Sequence, residues 1–192
     1  MRFDSGKRLS GLNVASPLFP ERLMPRILRP LSVAPLTREA FHRFGDVLDA
    51  SGPADEVANG GAAQVYRNRA TADFDAEGGR VRFNIVRTAP QRLPLRIEFL
   101  ERHPLGSQTF SPLAGSDWLV VVAPQGALDP DAIVAFRVLP SQGVNYRRGV
   151  WHHPLIALNR PCDFFVIDRA GEGANLDFER LADPLLIESL EG

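Results

Sequence analysis

From Gln64 onward, apolar and polar residues alternate in short runs, and Gly, Pro or Asn marks most of the joints. Alternation with a period of two is the signature of a half-buried strand. The stretches 64–67, 81–88, 95–103, 107–112, 117–123, 135–139, 150–158 and 163–168 are therefore predicted as strands. The unbroken apolar run Leu119-Val120-Val121-Val122 suits a strand covered on both faces. Helical signals are few. Thr37 reads as an N-cap, Glu39 suits the positive end of a helix, and Gly45 suits its stop, with Ala40, Phe41 and Phe44 as the buried face. Asp129-Pro130-Asp131 begins one helical turn, with Pro at the first helical position. A short helix is predicted over residues 178–181, before Pro184, in a C-terminal tail that starts near residue 171. Residues 49–63, rich in Gly, Ala, Asp and Ser, read as a mobile loop. Residues 1–25 read as an irregular N-terminal extension, and residues 26–192 as a single domain with that tail. Many short strands with few helices predict a mainly β fold, a sandwich or a barrel.

Composition narrows the function classes. The chain has 192 residues, 44% of them hydrophobic and 23% charged, as in an ordinary globular protein. A net charge of −1 gives no electrostatic footprint for nucleic acid or an anionic membrane. One cysteine, Cys162, excludes an internal disulfide and a Cys-rich zinc site, and fits a reducing, cytoplasmic setting. No apolar run approaches the length that spans a bilayer.

Two polar stretches carry the candidate chemistry. The first is Leu-Glu-Arg-His-Pro-Leu-Gly-Ser-Gln-Thr-Phe at 100–110, and the second runs from Gly143 to Pro154. Together they hold His103, His152 and His153, three of the four histidines in the chain. In an extended chain Glu101 and His103 share one face and Arg102 takes the other. The spacing Glu101-x-His103-x4-Gln108-x6-Gly115 resembles the first motif of cupins with two residue types changed, and Gly149-x-x-His152 resembles the second. Glu101, His103, Gln108 and His152 are thus expected inside one barrel, as ligands of a divalent metal (Ni, Mn, Fe or Zn) or as groups hydrogen-bonded on the barrel wall. His153, next to His152, must face the other way. Tyr146 is a packing residue or a hydrogen-bond donor into the cavity. Arg87 alternates with Val81, Phe83 and Ile85, which puts it at the solvent rim or on an anion. Asn84 points away from Arg87 unless a bulge intervenes, and Asp168 is expected to pair with a nearby Arg.

Longer strings carry a more specific resemblance. The 100–110 stretch, Gln-Gly-Val-Asn-Tyr at 142–146, Gly-Val-Trp-His-His-Pro-Leu at 149–155 and Asp-Phe-Phe-Val-Ile-Asp-Arg at 163–169 closely resemble the ureidoglycolate lyase family. The segment 36–47 is similar to that family's N-terminal helix, and the likeness runs from about Arg26 to Leu181. The resemblance implies a cupin-like β-barrel, a double-stranded β-helix, in a homodimer. It implies cleavage of ureidoglycolate to glyoxylate and urea in allantoin and purine breakdown, with nickel as the implied cofactor. On that reading Glu101, His103 and His152 are catalytic, and Arg87, Gln108, Asn84 and Tyr146 bind substrate. Spacing alone leaves base and acid unassigned. Two other readings fit the residues: a non-catalytic module that binds or senses a small carboxylic acid, and an enzyme acting on another ureide.

Overall fold

The computed structural model describes residues 28–190. The extension expected over residues 1–25 and the domain start near Arg26 lie outside the described residues. The strands run in chain order as follows. They begin with β1 (Arg29–Pro30), β2 (Val33–Pro35), β3 (Gly45–Leu48), β4 (Glu56–Ala58) and β5 (Ala63–Val65). Next come β6 (Arg80–Thr88), β7 (Pro90–Gln91), β8 (Leu95–Arg102), β9 (Gln108–Pro112) and β10 (Trp118–Ala123). The last six are β11 (Val134–Val138), β12 (Gly143–Tyr146), β13 (Trp151–His152), β14 (Ile156–Leu158), β15 (Cys162–Ala170) and β16 (Asp177–Ile187).

These strands form two main sheets, as the mainly β expectation requires. The larger has the order β1-β16-β8-β13-β10-β11-β2, with β14 pairing β10 and β7, and the smaller has the order β3-β12-β9-β15-β6. One apolar core lies between them. Trp118, Val120 and Val122 of β10 meet Phe110, Val144, Phe164 and Val166 of the smaller sheet there. The alternate residues Leu119, Val121 and Ala123 enter a second cluster with Ile97, Leu100 and Leu185. All six residues of β10 are buried, so its continuous apolar run follows from having a core on each face. This is the double-sheet architecture of a cupin-like sandwich or barrel.

The single α-helix among the described residues, α1 (Arg38–Phe41), starts where the sequence places it. The Thr37 hydroxyl oxygen accepts a hydrogen bond from the Ala40 N–H at 3.1 Å. Phe41 and Phe44 are buried, whereas Ala40 is exposed. Gly45 has a role beyond the helix end. It opens β3, and a Cβ there would lie 1.8 Å from the Asn145 carbonyl oxygen on β12. The 129–131 signal also holds, because Pro130–Ala132 form one 3-10 turn and the Asp129 carboxylate accepts from the Asp131 N–H at 2.9 Å.

Three expectations need correction. The stretch 49–63 is not wholly loop, since β4 pairs β5 in a small hairpin. The run 150–158 is two strands, broken at Pro154, which lacks the N–H that a continuous ladder needs. Residues 178–181 are strand rather than helix. They belong to β16, whose pairing with β8 supplies backbone partners that outweigh local helix preference. The register of that pair slips between Arg180 and Leu185, at the segment holding Pro184. No helix among the described residues is long and apolar enough to cross a membrane.

Candidate functional site

The two polar stretches meet where the sheets come together. Glu101 near the end of β8 lies directly across from His152 on β13. Gln108 at the start of β9 lies across from Tyr146 on β12. His103 follows β8, before the Pro104–Gly106 turn. The chain thus delivers Glu101, His103 and His152 together from the larger sheet, and Gln108 and Tyr146 from the smaller.

The imidazoles are oriented by their own backbone. His103 Nδ1 lies 2.7 Å from the Asn175 carbonyl oxygen, and His152 Nδ1 lies 3.0 Å from the Val150 carbonyl oxygen. A carbonyl only accepts, so each Nδ1 carries the proton and each Nε2 carries a lone pair. Asn175 clamps the turn further, because its side-chain oxygen accepts from the Leu105 N–H at 2.8 Å. Among the described residues, both Nε2 atoms are buried without a hydrogen-bond partner, and so is Gln108 Oε1.

His152 Nε2 is 3.6 Å from the Glu101 carboxylate, a distance within ion-pair range. Yet His152 is neutral at pH 7, because burial holds its pKa down at about 3. Burial also raises the Glu101 pKa. Tyr146 stacks on His152, with ring centroids 4.4 Å apart. Its ring also packs on Phe41 and Phe110, so it forms a wall of the site, and burial followed by the Glu101 charge pushes its hydroxyl pKa up.

The ligand atoms of Glu101, His103 and His152 all lie within 4.8 Å of one another. A carboxylate and two imidazole lone pairs repel unless a positive charge or a donor sits among them. The set therefore fits a divalent cation, and the Nδ1–H-to-carbonyl contacts are the outer support usual for metal-bound histidine. Gln108 adds a weak neutral oxygen at the same hollow.

That hollow, of about 300 Å³, is bordered by Glu101 and Gln108 and by Asn84, Val86, Arg87, Thr88 and Asp168 on the opposing strands. Asn84 faces it, as alternation predicts. Arg87 has the opposite parity and sits at the exposed rim of the hollow. Its Nε and Nη2 each donate to the Asp163 carboxylate at 2.7 Å, and its side chain is 77% exposed. Of the two options left by the sequence, both hold, because Arg87 lies at the solvent rim and is paired with an anion, Asp163 of this chain. His153 also turns away from the cluster, with its ring 5.4 Å from that of Phe99.

Arg82 is the residue that sequence reasoning passed over. It shares parity with Asn84, and its Nε and Nη2 donate to Asp168 at 2.8 and 3.0 Å. The available signal was parity: 82 and 84 share a face, and 87 does not.

Comparison with known proteins agrees with these observations. The profile of a family described as "Ureidoglycolate lyase" matches residues 28–188. A Burkholderia mallei protein named "Ureidoglycolate lyase" is 48% identical over 158 residues, covering 82% of this chain and 93% of its own. Proteins of the same name from Mesorhizobium japonicum and Pseudomonas putida are 45% and 44% identical, covering 77% and 78% of this chain and 90% of their own.

Proposed function

Because the chain belongs to the ureidoglycolate lyase family, we propose that this lyase cleaves ureidoglycolate to glyoxylate and urea, as a step of allantoin and purine breakdown in the cytoplasm. The observation that carries the chemistry is the convergence of the Glu101 carboxylate with two imidazole lone pairs in one buried cluster. Ureidoglycolate is a hemiaminal. Its hydroxyl loses a proton, the carbinol C–N bond breaks, and the departing urea nitrogen gains a proton. Atoms balance with no water consumed, so the site needs only to move a proton and hold the two ends.

Glu101 suits the proton transfer. Desolvation raises its pKa toward the working range, which favours a carboxyl that accepts from the hydroxyl and returns the proton to nitrogen. His103 and His152, with their Nε2 lone pairs facing the cluster, fix the polarity around it. Gln108 Oε1 is an acceptor suited to a ureido N–H, and Asn84 borders the same hollow. A divalent metal such as nickel, held by Glu101, His103 and His152 with Gln108 beside them, would acidify the hydroxyl.

The test is a product balance with and without chelator. Stoichiometric urea and glyoxylate, with no ammonia in urease-free enzyme, is the expected result. Ammonia released at the rate of glyoxylate would show hydrolysis at the ureido carbonyl instead. Saturable glyoxylate binding with no urea formed from ureidoglycolate would show a non-catalytic binding module.

We also propose that the protein is a homodimer. Val81, Phe83 and Ile85 are exposed on the outer face of β6, and Phe83 stacks on Phe165 of β15 at 6.0 Å. An apolar group of this kind on one sheet face favours association. Phe83→Arg is expected to shift the protein to monomer in sedimentation, and an unchanged dimer would place the interface elsewhere.

A further inference from the structure

We propose that Arg82 is the specificity-determining residue that seats the substrate's carboxylate, an inference that rests on the ureidoglycolate reading of the site. Three observations lead there. First, parity puts Arg82 on the face of β6 that carries Asn84, Val86 and Thr88, across from Asp168, Val166, Phe164 and Cys162 of β15, and those three β6 residues border the hollow. Second, Asp168, its partner across the β6–β15 ladder, borders the same hollow as Glu101 and Gln108. Arg82 itself borders an adjoining hollow with His103 and Asp168. Third, the way Asp168 holds the guanidinium leaves a fork open.

That third point decides the chemistry. Asp168 takes the side edge of Arg82: Oδ1 accepts from Nε at 2.8 Å, and Oδ2 accepts from Nη2 at 3.0 Å. Asn84 Nδ2 also donates to Oδ1 at 3.2 Å, which fixes the carboxylate plane. A guanidinium has five N–H groups, and this side-on contact uses only two. Both hydrogens of Nη1 and the second hydrogen of Nη2 make no bond among the described residues. They form the end-on fork that matches a carboxylate in bidentate geometry. Asp168 thus orients the guanidinium before any substrate arrives, so less rotamer freedom is lost on binding. Arg87 shows the same side-on pairing with Asp163, at the exposed rim of the hollow and with the other parity.

A purely structural Arg82–Asp168 pair would tie β6 to β15 and would not distinguish one substrate from another. The discriminating experiment compares ureidoglycolate with hydroxymethylurea, a hemiaminal of urea that lacks the carboxylate. In Arg82→Ala, kcat/KM for ureidoglycolate is expected to fall about a hundredfold, mostly through KM, the scale of losing a charge-assisted contact. The value for hydroxymethylurea should stay within about threefold of wild type, and added methylguanidinium should restore part of the loss on ureidoglycolate. Arg82→Lys, which keeps the charge and loses the fork, should fall between. Equal losses on both substrates, or none on either, would overturn the proposal. Calorimetric titration with glyoxylate separates this failure from failure of the function itself. If wild type releases no urea, glyoxylate binding that is lost in Arg82→Ala still supports the carboxylate seat. Unchanged binding in Arg82→Ala, or no binding to wild type, removes it.

Discussion

Glu101→Gln and His103→Ala are each expected to lower kcat/KM for ureidoglycolate by about two to four orders of magnitude, with the fold retained. Glu101→Gln keeps the shape of the side chain. It replaces an anionic proton acceptor with an amide that cannot carry the proton from oxygen to nitrogen. It also leaves His152 Nε2 facing a neutral group in place of the carboxylate 3.6 Å away. His103→Ala removes one of the two buried lone pairs and frees the Asn175 carbonyl that orients the ring. Both positions lie at a strand end and a turn rather than in the apolar core, so circular dichroism and thermal melts should stay close to wild type. His152→Ala should resemble His103→Ala in rate. His153→Ala should stay within about an order of magnitude of wild type, because its ring packs on Phe99 away from the cluster. Near-normal rates for folded Glu101→Gln and His103→Ala would make the cluster structural. A greater rate loss in His153→Ala than in His152→Ala would contradict the register that pairs His152 with Glu101.

How much of this site was legible in the sequence depends on which link of the chain set each feature. Period-two alternation is local, so it placed Glu101 and His103 on one face and turned His153 away from His152. Motif spacing added Gln108 and His152, which local reasoning alone could not join, since 44 residues separate His152 from Gln108. The β10 run was legible because burial on both faces leaves no polar position to interrupt it. By contrast, β16 reads as a helical tail, because Asp177-Phe178-Glu179-Arg180 has no clean alternation and its strand state comes from pairing with β8. The strand β12 was hidden for a similar reason: Gly143-Val-Asn-Tyr is short, and its Asn145 is buried by bonding to Thr109, Asp46 and the Thr71 carbonyl. The choice between Arg82 and Arg87 turns on which face of β6 meets the other sheet. Both faces of β6 carry apolar residues, so alternation fixes the parity of each arginine without saying which parity is inside. The fold decides that, through Phe164 and Val166 pointing into the core from β15 beside Val86 and Asn84.

Phe164→Ala is expected to destabilise the protein by about 3–5 kcal/mol, the range for removing a buried aromatic ring without refilling its space. Phe164 is fully buried, and its ring meets that of Trp118, also fully buried, in an edge-to-face contact at 5.0 Å. Trp118 belongs to the larger sheet and Phe164 to the smaller, so this pair spans the interface between them. Close packing leaves the surrounding side chains little freedom to collapse into the gap, since Val120, Val138 and Val166 are themselves pinned in strands. Equilibrium denaturation should show a lower midpoint with a similar slope, which marks lost stability rather than an altered unfolded state. Phe164 belongs to the apolar core between the sheets rather than to the Glu101, His103 and His152 cluster, so kcat per folded molecule, measured well below the lowered melting temperature, should stay near wild type. That combination, with stability lost and chemistry kept, is the reverse of what Glu101→Gln should show. A loss of less than about 1 kcal/mol would mean that the two sheets do not share the core that Trp118 and Phe164 define, because surface-like positions are the ones that tolerate such truncation.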